Sequence, residues 1–191
     1  MPEDPYADPV TGVLRNKLGL STTAELEAAE REITHAALIL LREAPVQPSY
    51  DLTHLCAIHR RIFGDIYDWA GQTRTVAISK RSMFCLPRHI ESSATEIFRA
   101  LHGENLLRSL NRDAFIERLT YYLGEINALH PFRDGNGRAQ RAFVEQLTSD
   151  AGFVLDWQRL DTDRNIAASA AIMHGNPVPM RTMLAELVQE S

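Results

Sequence analysis

One segment near the middle of the chain repeats apolar residues at a spacing that places them on one side of a helix. Asp113 stands where a cap for that helix is expected. The apolar positions that follow are Phe115, Leu119, Leu123, Ile126 and Leu129. Residues three and four apart form a continuous stripe on an α-helix. The pattern therefore predicts a long amphipathic helix with a buried face, and it commits this part of the chain to a helical fold.

Helix signals recur over most of the remaining chain. Thr22-Thr23-Ala24-Glu25 fits a capping box, and Gly64 and Gly152 are suited to follow helix ends. Six further helices are predicted, at about Thr23–Arg42, Asp51–Phe63, Pro87–Leu101, Gly137–Asp150, Asp161–Met173 and Pro177–Gln189. Residues 71–88 carry β-forming residues instead and predict a short β-hairpin. Prolines in residues 1–12 indicate an extended arm. The fold class is therefore mostly α, with about seven helices and one hairpin.

Composition excludes several classes of protein. The 191 residues suit one domain, with 20 basic against 25 acidic side chains and a net charge of −5. That balance excludes a broad basic surface for nucleic acid. No apolar stretch approaches the ~18 residues of a membrane span. Two cysteines, Cys56 and Cys85, form neither a disulfide framework nor a zinc cluster. The acidic start of the chain does not resemble a secretory signal, so we expect a cytoplasmic protein.

The segment 130–141 combines groups that suit a phosphate site. Gly135 and Gly137 flank Asn136 where a helix is predicted to begin. Free backbone N–H groups and the positive end of the helix dipole then point out of the loop and favour an anion. Arg138 and Arg141 lie in the first turns of the same helix, where cations oppose the dipole. Two arginines at this position therefore indicate that an anion with several charges binds between them.

Three more residues of this segment complete the chemistry. Asp134 places a carboxylate beside the anion site, and Mg²⁺ is usually held by one or two carboxylates together with substrate phosphates. His130 ends the preceding helix and can act as a base near neutral pH. Phe132 is predicted to be a core anchor that holds the loop down. The segment therefore predicts a magnesium–nucleotide site with a general base beside it.

Other conspicuous side chains are given structural roles. Tyr67 and Trp69 are predicted to support the core or the hairpin, not to contact a nucleobase. Histidines without metal-ligand spacing are predicted to lie at the surface or to cap helices: His54, His59, His89, His102 and His174.

The segment 130–141 resembles the signature of the Fic family, His-x-Phe-x-Asp/Glu-Gly-Asn-Gly-Arg-x-x-Arg, and matches every defined position. Residues 65–74, Asp-Ile-Tyr-Asp-Trp-Ala-Gly-Gln-Thr-Arg, are similar to the lead into the family's hairpin "flap". Residues 8–16, Asp-Pro-Val-Thr-Gly-Val-Leu-Arg-Asn, are similar to the N-terminal arm of bacterial Fic toxins. The resemblance implies one Fic-type helical domain over 1–191, with an arm at 1–20 and a flap at about 71–88 that covers the site.

The resemblance also implies an activity, the transfer of AMP from ATP to a hydroxyl side chain of a target protein. It implies that His130 deprotonates the hydroxyl and that Asp134 holds Mg²⁺ between the α- and β-phosphates. The implied nucleotide-binding residues are Gly135, Asn136, Gly137, Arg138 and Arg141, with the last on the γ-phosphate. The flap is expected to hold the target backbone by strand addition through Val76, Ala77, Ile78, Ser79, Lys80 and Arg81.

Three alternatives to AMP transfer stay open. A kinase of the related Doc type would transfer the γ-phosphate, but that subgroup typically has Lys where this chain has Gly137. Phosphocholine transfer is a rarer variant within the family. A module that only holds a nucleotide would not need His130 as a base.

The resemblance suggests two biological roles. A chain of this size with this arm resembles bacterial toxins that modify DNA gyrase and topoisomerase IV. The alternative is the Fic domain of a secreted effector that modifies host GTPases.

Many Fic proteins carry an inhibitory helix with Ser/Thr-x-x-x-Glu-Gly/Asn, and Glu104-Asn105 is the one Glu followed by Gly or Asn here. Ala100 stands where that pattern needs Ser or Thr. A separate small antitoxin that supplies the helix is therefore expected.

Overall fold

The structure is a computed structural model that describes residues 4–79 and 83–190. Within these ranges the chain forms seven α-helices: α1 Thr23–Glu43, α2 Leu52–Phe63, α3 Ile90–Gly103, α4 Arg112–Leu129, α5 Asn136–Asp150, α6 Thr162–Met173 and α7 Val178–Leu187. Short 3-10 turns occupy Pro87–His89, Asn105–Leu107 and Trp157–Arg159. The mostly α fold class is confirmed. No helix of the described ranges is long and apolar enough to cross a membrane.

Helix α4 is the centre of the domain, as its apolar stripe predicts. The stripe residues of α4 are buried, and the helix packs against α3, α5, α6 and α7. Helix α2 packs against α1 and α5 on the other side. Because α4 and α5 are joined by only the residues between Leu129 and Asn136, the predicted catalytic segment lies where these two central helices meet.

The structure corrects the predicted start of α4 and the end of the chain. The side chain of Asn111, not Asp113, caps α4 by accepting the N–H of Ala114 at 3.0 Å. The helix predicted to reach Gln189 ends at Leu187. The chain continues as strand β2, Val188–Glu190, which pairs antiparallel with β1, Phe153–Leu155. Neither three-residue strand was predicted, because so short a strand has no periodicity and its partner lies far along the chain.

The arm and the flap are less regular than predicted. Instead of running extended, the arm doubles back on itself, with an antiparallel bridge between Ala7 and Leu14 and Gly12 at φ +72°. Among its described residues, the flap forms one antiparallel bridge, Ser79 to Met83, in place of two full strands. Its predicted tip residues, Lys80 and Arg81, lie outside the described residues.

Two of the histidines predicted to lie at the surface or to cap helices are buried instead. His54 and His59 on α2 are 1% and 0% exposed. The ring of His59 stacks between Phe63 and Phe132, with centroids 4.6 and 3.9 Å away. Tyr67 and Trp69 are buried and stacked on each other, as predicted for support residues.

Candidate active site

A cleft of about 1550 Å³ opens over the segment that joins α4 to α5. It is lined by His130 and by residues 133–138, by Arg141 on α5, and by the outgoing limb of the flap, Val76–Ser79. Helix α6 forms the facing wall. The structure therefore brings together the predicted base, the predicted anion loop, the predicted metal carboxylate and the described part of the predicted target-binding flap.

His130 is held at the C-terminal end of α4 in a left-handed conformation, with φ 43°. Its N–H donates to the carbonyl of Ile126 at 3.1 Å, and its Nδ1 lies 3.1 Å from the carbonyl of Asn127. A carbonyl only accepts, so Nδ1 carries the proton and Nε2 carries the lone pair of the neutral ring. The flap residue Phe84 stacks on the imidazole at 3.7 Å between centroids. These contacts orient the ring and fix its tautomer.

The anion loop has the geometry that its glycines predict. Gly135 caps α5 with φ +77°, and its N–H donates to Asp134 Oδ1 at 2.5 Å. The next two N–H groups, of Asn136 and Gly137, have no hydrogen-bond acceptor among residues 4–79 and 83–190. They lie at the positive end of the α5 dipole, where an anion is favoured.

The rest of the loop explains why it keeps this shape. Phe132 is fully buried, which confirms its anchoring role. The side chain of Asn136 holds the backbone of Phe132: Oδ1 accepts the Phe132 N–H at 2.9 Å, and Nδ2 donates to the Phe132 carbonyl at 2.8 Å. A Cβ on Gly135 would lie 2.3 Å from the ring of Phe63. No side chain fits there, and φ +77° disfavours one as well. Glycine is therefore required at position 135.

The two arginines of the motif have different surroundings. Arg138 pairs with Glu30 on α1 at 2.6 Å and lies 4.6 Å over the ring of Phe63. Arg141 is half-buried, and none of the residues that the structure describes pairs with it through a carboxylate or a hydrogen bond. Burial, and secondarily the charge of Arg138, lower the pKa of Arg141. A desolvated cation of this kind favours an anionic ligand.

Asp134 directly precedes Gly135, the N-cap of α5. Its side chain is exposed, and one oxygen is used by the N–H of Gly135. No group of three or more His, Cys, Asp or Glu side chains within the described ranges could hold a metal ion by itself. One exposed carboxylate beside the anion loop fits an ion that substrate phosphates hold for the most part, which is typical of Mg²⁺.

Two buried side chains that were not predicted as part of the site fix the ends of the loop. His59 Nδ1 accepts the N–H of Gly71 at 2.9 Å, so its Nε2 donates to the carbonyl of Asp134 at 3.0 Å. Burial lowers the pKa of His59 to about 4, which keeps the ring neutral. At the other end, Arg74 donates to the carbonyl of His130 at 2.9 Å. The signal for His59 was its spacing, four residues after Leu55, on the apolar face of α2.

The wall formed by α6 was not predicted as part of the site. Asn165, Ile166, Ser169 and Met173 line it, together with Trp157 from the preceding turn. The Trp157 Nε1 is buried and has no acceptor among the described residues. This mixture of apolar and polar groups opposite the anion loop leaves room for the organic part of a ligand whose phosphates bind at α5.

Comparison with known proteins agrees with this geometry. The family model described as Fic/DOC family matches residues 49–148. Protein adenylyltransferase VbhT of Bartonella schoenbuchensis is 41% identical over 188 residues, which are 98% of this chain and 39% of VbhT. A probable protein adenylyltransferase Fic of Salmonella typhimurium is 38% identical, over 98% of this chain and 94% of that protein.

A solved structure extends the likeness to the fold. The BepC effector of Bartonella tribocorum, with bound AMPPNP, superimposes with a TM-score of 0.90 at 25% identity, over 97% of both chains. The chain belongs to the Fic/DOC family. It is an enzyme of the protein adenylyltransferase class, and its relatives of similar length are named probable protein adenylyltransferases.

Proposed function

We propose that this chain transfers AMP from ATP to a hydroxyl side chain of a target protein, with His130 as the general base. The observation that carries the proposal is the placement of His130 beside an anion site at the start of α5, in one cleft with Arg141. Phosphoryl-type transfer needs positioning and charge neutralisation more than covalent help from the protein, and this cleft supplies both.

In the proposed reaction, His130 Nε2 takes the proton of the target hydroxyl as its oxygen bonds to the α-phosphorus of ATP. The bond from that phosphorus to the oxygen bridging the α- and β-phosphates breaks, and pyrophosphate leaves. The N–H groups of Asn136 and Gly137 stabilise the phosphate oxygens. Arg141 binds the γ-phosphate, and Arg138 steadies the phosphates from the side of α1.

Magnesium is proposed as the metal of this reaction, with Asp134 as its protein ligand. When bound, Mg²⁺ neutralises charge on the α- and β-phosphates. Asp134 suits this role because its carboxylate is exposed at the mouth of the anion loop. It also accepts the Gly135 N–H, so the ligand and the loop hold each other in place.

The flap is proposed to bind the target as an added strand. Its outgoing limb, Val76–Ser79, lines the same cleft as His130. Ala77 and Ser79 are exposed, so their backbone edges can reach another chain. Lys80 and Arg81 remain predicted target contacts.

Incubation with α-labelled ATP and cell lysate tests this function. We expect a labelled target band that depends on added Mg²⁺ and disappears in excess chelator. Asp134→Ala should lower the labelling by about 10²-fold or more, because a metal supplies several kcal/mol of charge stabilisation. Asp68→Ala, a change at an exposed carboxylate paired with Lys17 outside the cleft, is the control and should label normally. Full labelling in chelator would exclude the metal role.

The target and the setting are also proposals. We propose a cytoplasmic bacterial toxin that modifies DNA gyrase or topoisomerase IV. Secretion into a host cell, with host GTPases as targets, is the second candidate. It is favoured by the likeness to BepC, which is described as a VirB-translocated effector protein. Identification of the labelled band distinguishes the two.

A separate small antitoxin is proposed to restrain the enzyme. Its helix would place a glutamate on Arg141, where the γ-phosphate should bind. Within the described ranges no carboxylate lies on Arg141. Glu104, the glutamate of the partial pattern, instead accepts three hydrogen bonds, two from Arg118 at 2.7 and 2.5 Å and one from Tyr122 at 2.7 Å.

We therefore expect expression of this chain alone to arrest growth and co-expression with its neighbouring small gene to restore growth. The His130→Ala variant expressed alone is the control and should be harmless. A partner whose glutamate is changed to glycine should still bind but no longer protect, because one ion pair is a small part of a helix-sized interface. Equal growth with and without the partner, with active enzyme present, would contradict the proposal.

A further inference from the structure

Arg74 is a buried arginine that binds backbone carbonyls from three segments. Its guanidinium donates to the carbonyl of His130 at 2.9 Å, to that of Val76 at 2.8 Å and to that of Cys85. Its own backbone N–H donates to Pro131 at 2.8 Å. The residue is only 2% exposed. The catalytic segment and both limbs of the flap are therefore held by one residue.

The electrostatics of this contact are unusual for a buried cation. No acidic side chain in the described part of the chain pairs with Arg74, and burial lowers its pKa. Buried charges are normally paired with an opposite charge. Here the carbonyl of His130 stands at the C-terminal end of α4, where the helix dipole is negative. Together with the carbonyls of Val76 and Cys85, this carbonyl takes the place of a carboxylate.

Residues of the returning limb of the flap also contact α4 and the catalytic ring. The N–H of Cys85 donates to the carbonyl of Ala128 at 3.0 Å, which fixes the returning limb of the flap to α4. The preceding residue, Phe84, stacks on the imidazole of His130. The guanidinium of Arg74 thus sets the separation of Val76 from Cys85, and with it the position of Phe84 against the ring.

We infer that Arg74 is a positioning residue that couples the target-holding flap to the catalytic base. The inference rests on the proposed function of His130 and of the flap. Within the described ranges, none of the hydrogen bonds of Arg74 goes to the anion loop at Gly135–Gly137 or to Arg141. Loss of the Arg74 contacts should therefore change the position of the target hydroxyl relative to His130. It should leave the phosphate contacts in place.

Arg74→Lys tests the inference, because lysine keeps the charge but cannot reach three carbonyls with a planar fork. We expect kcat for AMP transfer to fall about 10–100-fold, since small misplacements of reacting groups have effects of that size. The KM for the target protein should rise, and the affinity for ATP measured by titration should stay that of the unchanged enzyme. A parallel fall in ATP affinity would overturn the inference.

Arg112→Lys is a matched control. Arg112 also holds backbone carbonyls, those of Ala185 and Val188, but it joins α4 to the β2 end of the chain, away from the cleft. It should lower the melting temperature and leave the kinetic constants unchanged. If both variants reduce kcat alike, Arg74 is only a stabilising residue.

Two further measurements keep the test independent of folding and of the reaction itself. Phe84→Ala removes the ring contact without exposing a buried charge, and it should give the same split between kcat and ATP affinity. Hydrogen exchange should become faster at residues 76–79, 83–85 and 130–134 in Arg74→Lys, but not in Arg112→Lys. Unchanged exchange there would refute the coupling. Absence of AMP transfer by the unaltered enzyme would refute only the proposed function.

Discussion

His130→Ala should reduce AMP transfer by about 10²–10⁴-fold, the range typical of the loss of a general base. The ring lies at the end of α4 with its proton on Nδ1, so Nε2 is the nitrogen that accepts. Alanine removes this acceptor and the surface that Phe84 stacks on. The phosphate contacts come from the start of α5 and from Arg141, so ATP binding should survive.

Two assays on the same preparation test this result. Label transfer to the target gives the rate, and a titration gives the affinity for ATP. His89→Ala is the control, because His89 is exposed at the start of α3 and does not line the cleft. Transfer by His130→Ala within tenfold of the unaltered enzyme would remove His130 from the role of base.

Much of the fold follows from local patterns in the sequence. The stripe of α4 and the capping residues of α1 and α2 specify those helices without reference to the rest of the chain. The β1–β2 pair and the doubled-back arm depend on partners that the sequence does not identify. His59 was misjudged because a polar residue on an apolar face is buried only if its hydrogen bonds are met, here by Gly71 and Asp134.

The part of the site that lies in one continuous segment could be predicted from the sequence. His130, Asp134 and the anion loop lie within twelve consecutive positions, and the structure places them in one cleft. The residues that hold this segment come from elsewhere: Glu30 on α1, and Arg74 and Phe84 in the flap region. Such contacts join positions far apart in the chain, and one sequence without structure gives no signal for them.

Gly137 is the residue that decides between AMP transfer and phosphorylation in this account. A Cβ at this position would lie 3.4 Å from Arg141 Nη1, so a longer side chain would occupy the space beside that guanidinium. Glycine leaves this space open. In the proposed orientation of ATP, the phosphates that bind Arg141 occupy that space. Gly137→Lys should therefore abolish AMP transfer, because the new side chain would fill this space and place a second cation against Arg141.

The most direct test is transfer of label to the same target from ATP labelled at either the α- or the γ-phosphate. Two parallel reactions differ only in the labelled position, and the His130→Ala variant gives the background for both. We expect the target to be labelled from the α-position and to stay at background from the γ-position. Label that reaches the target from the γ-position would contradict AMP transfer and establish a kinase.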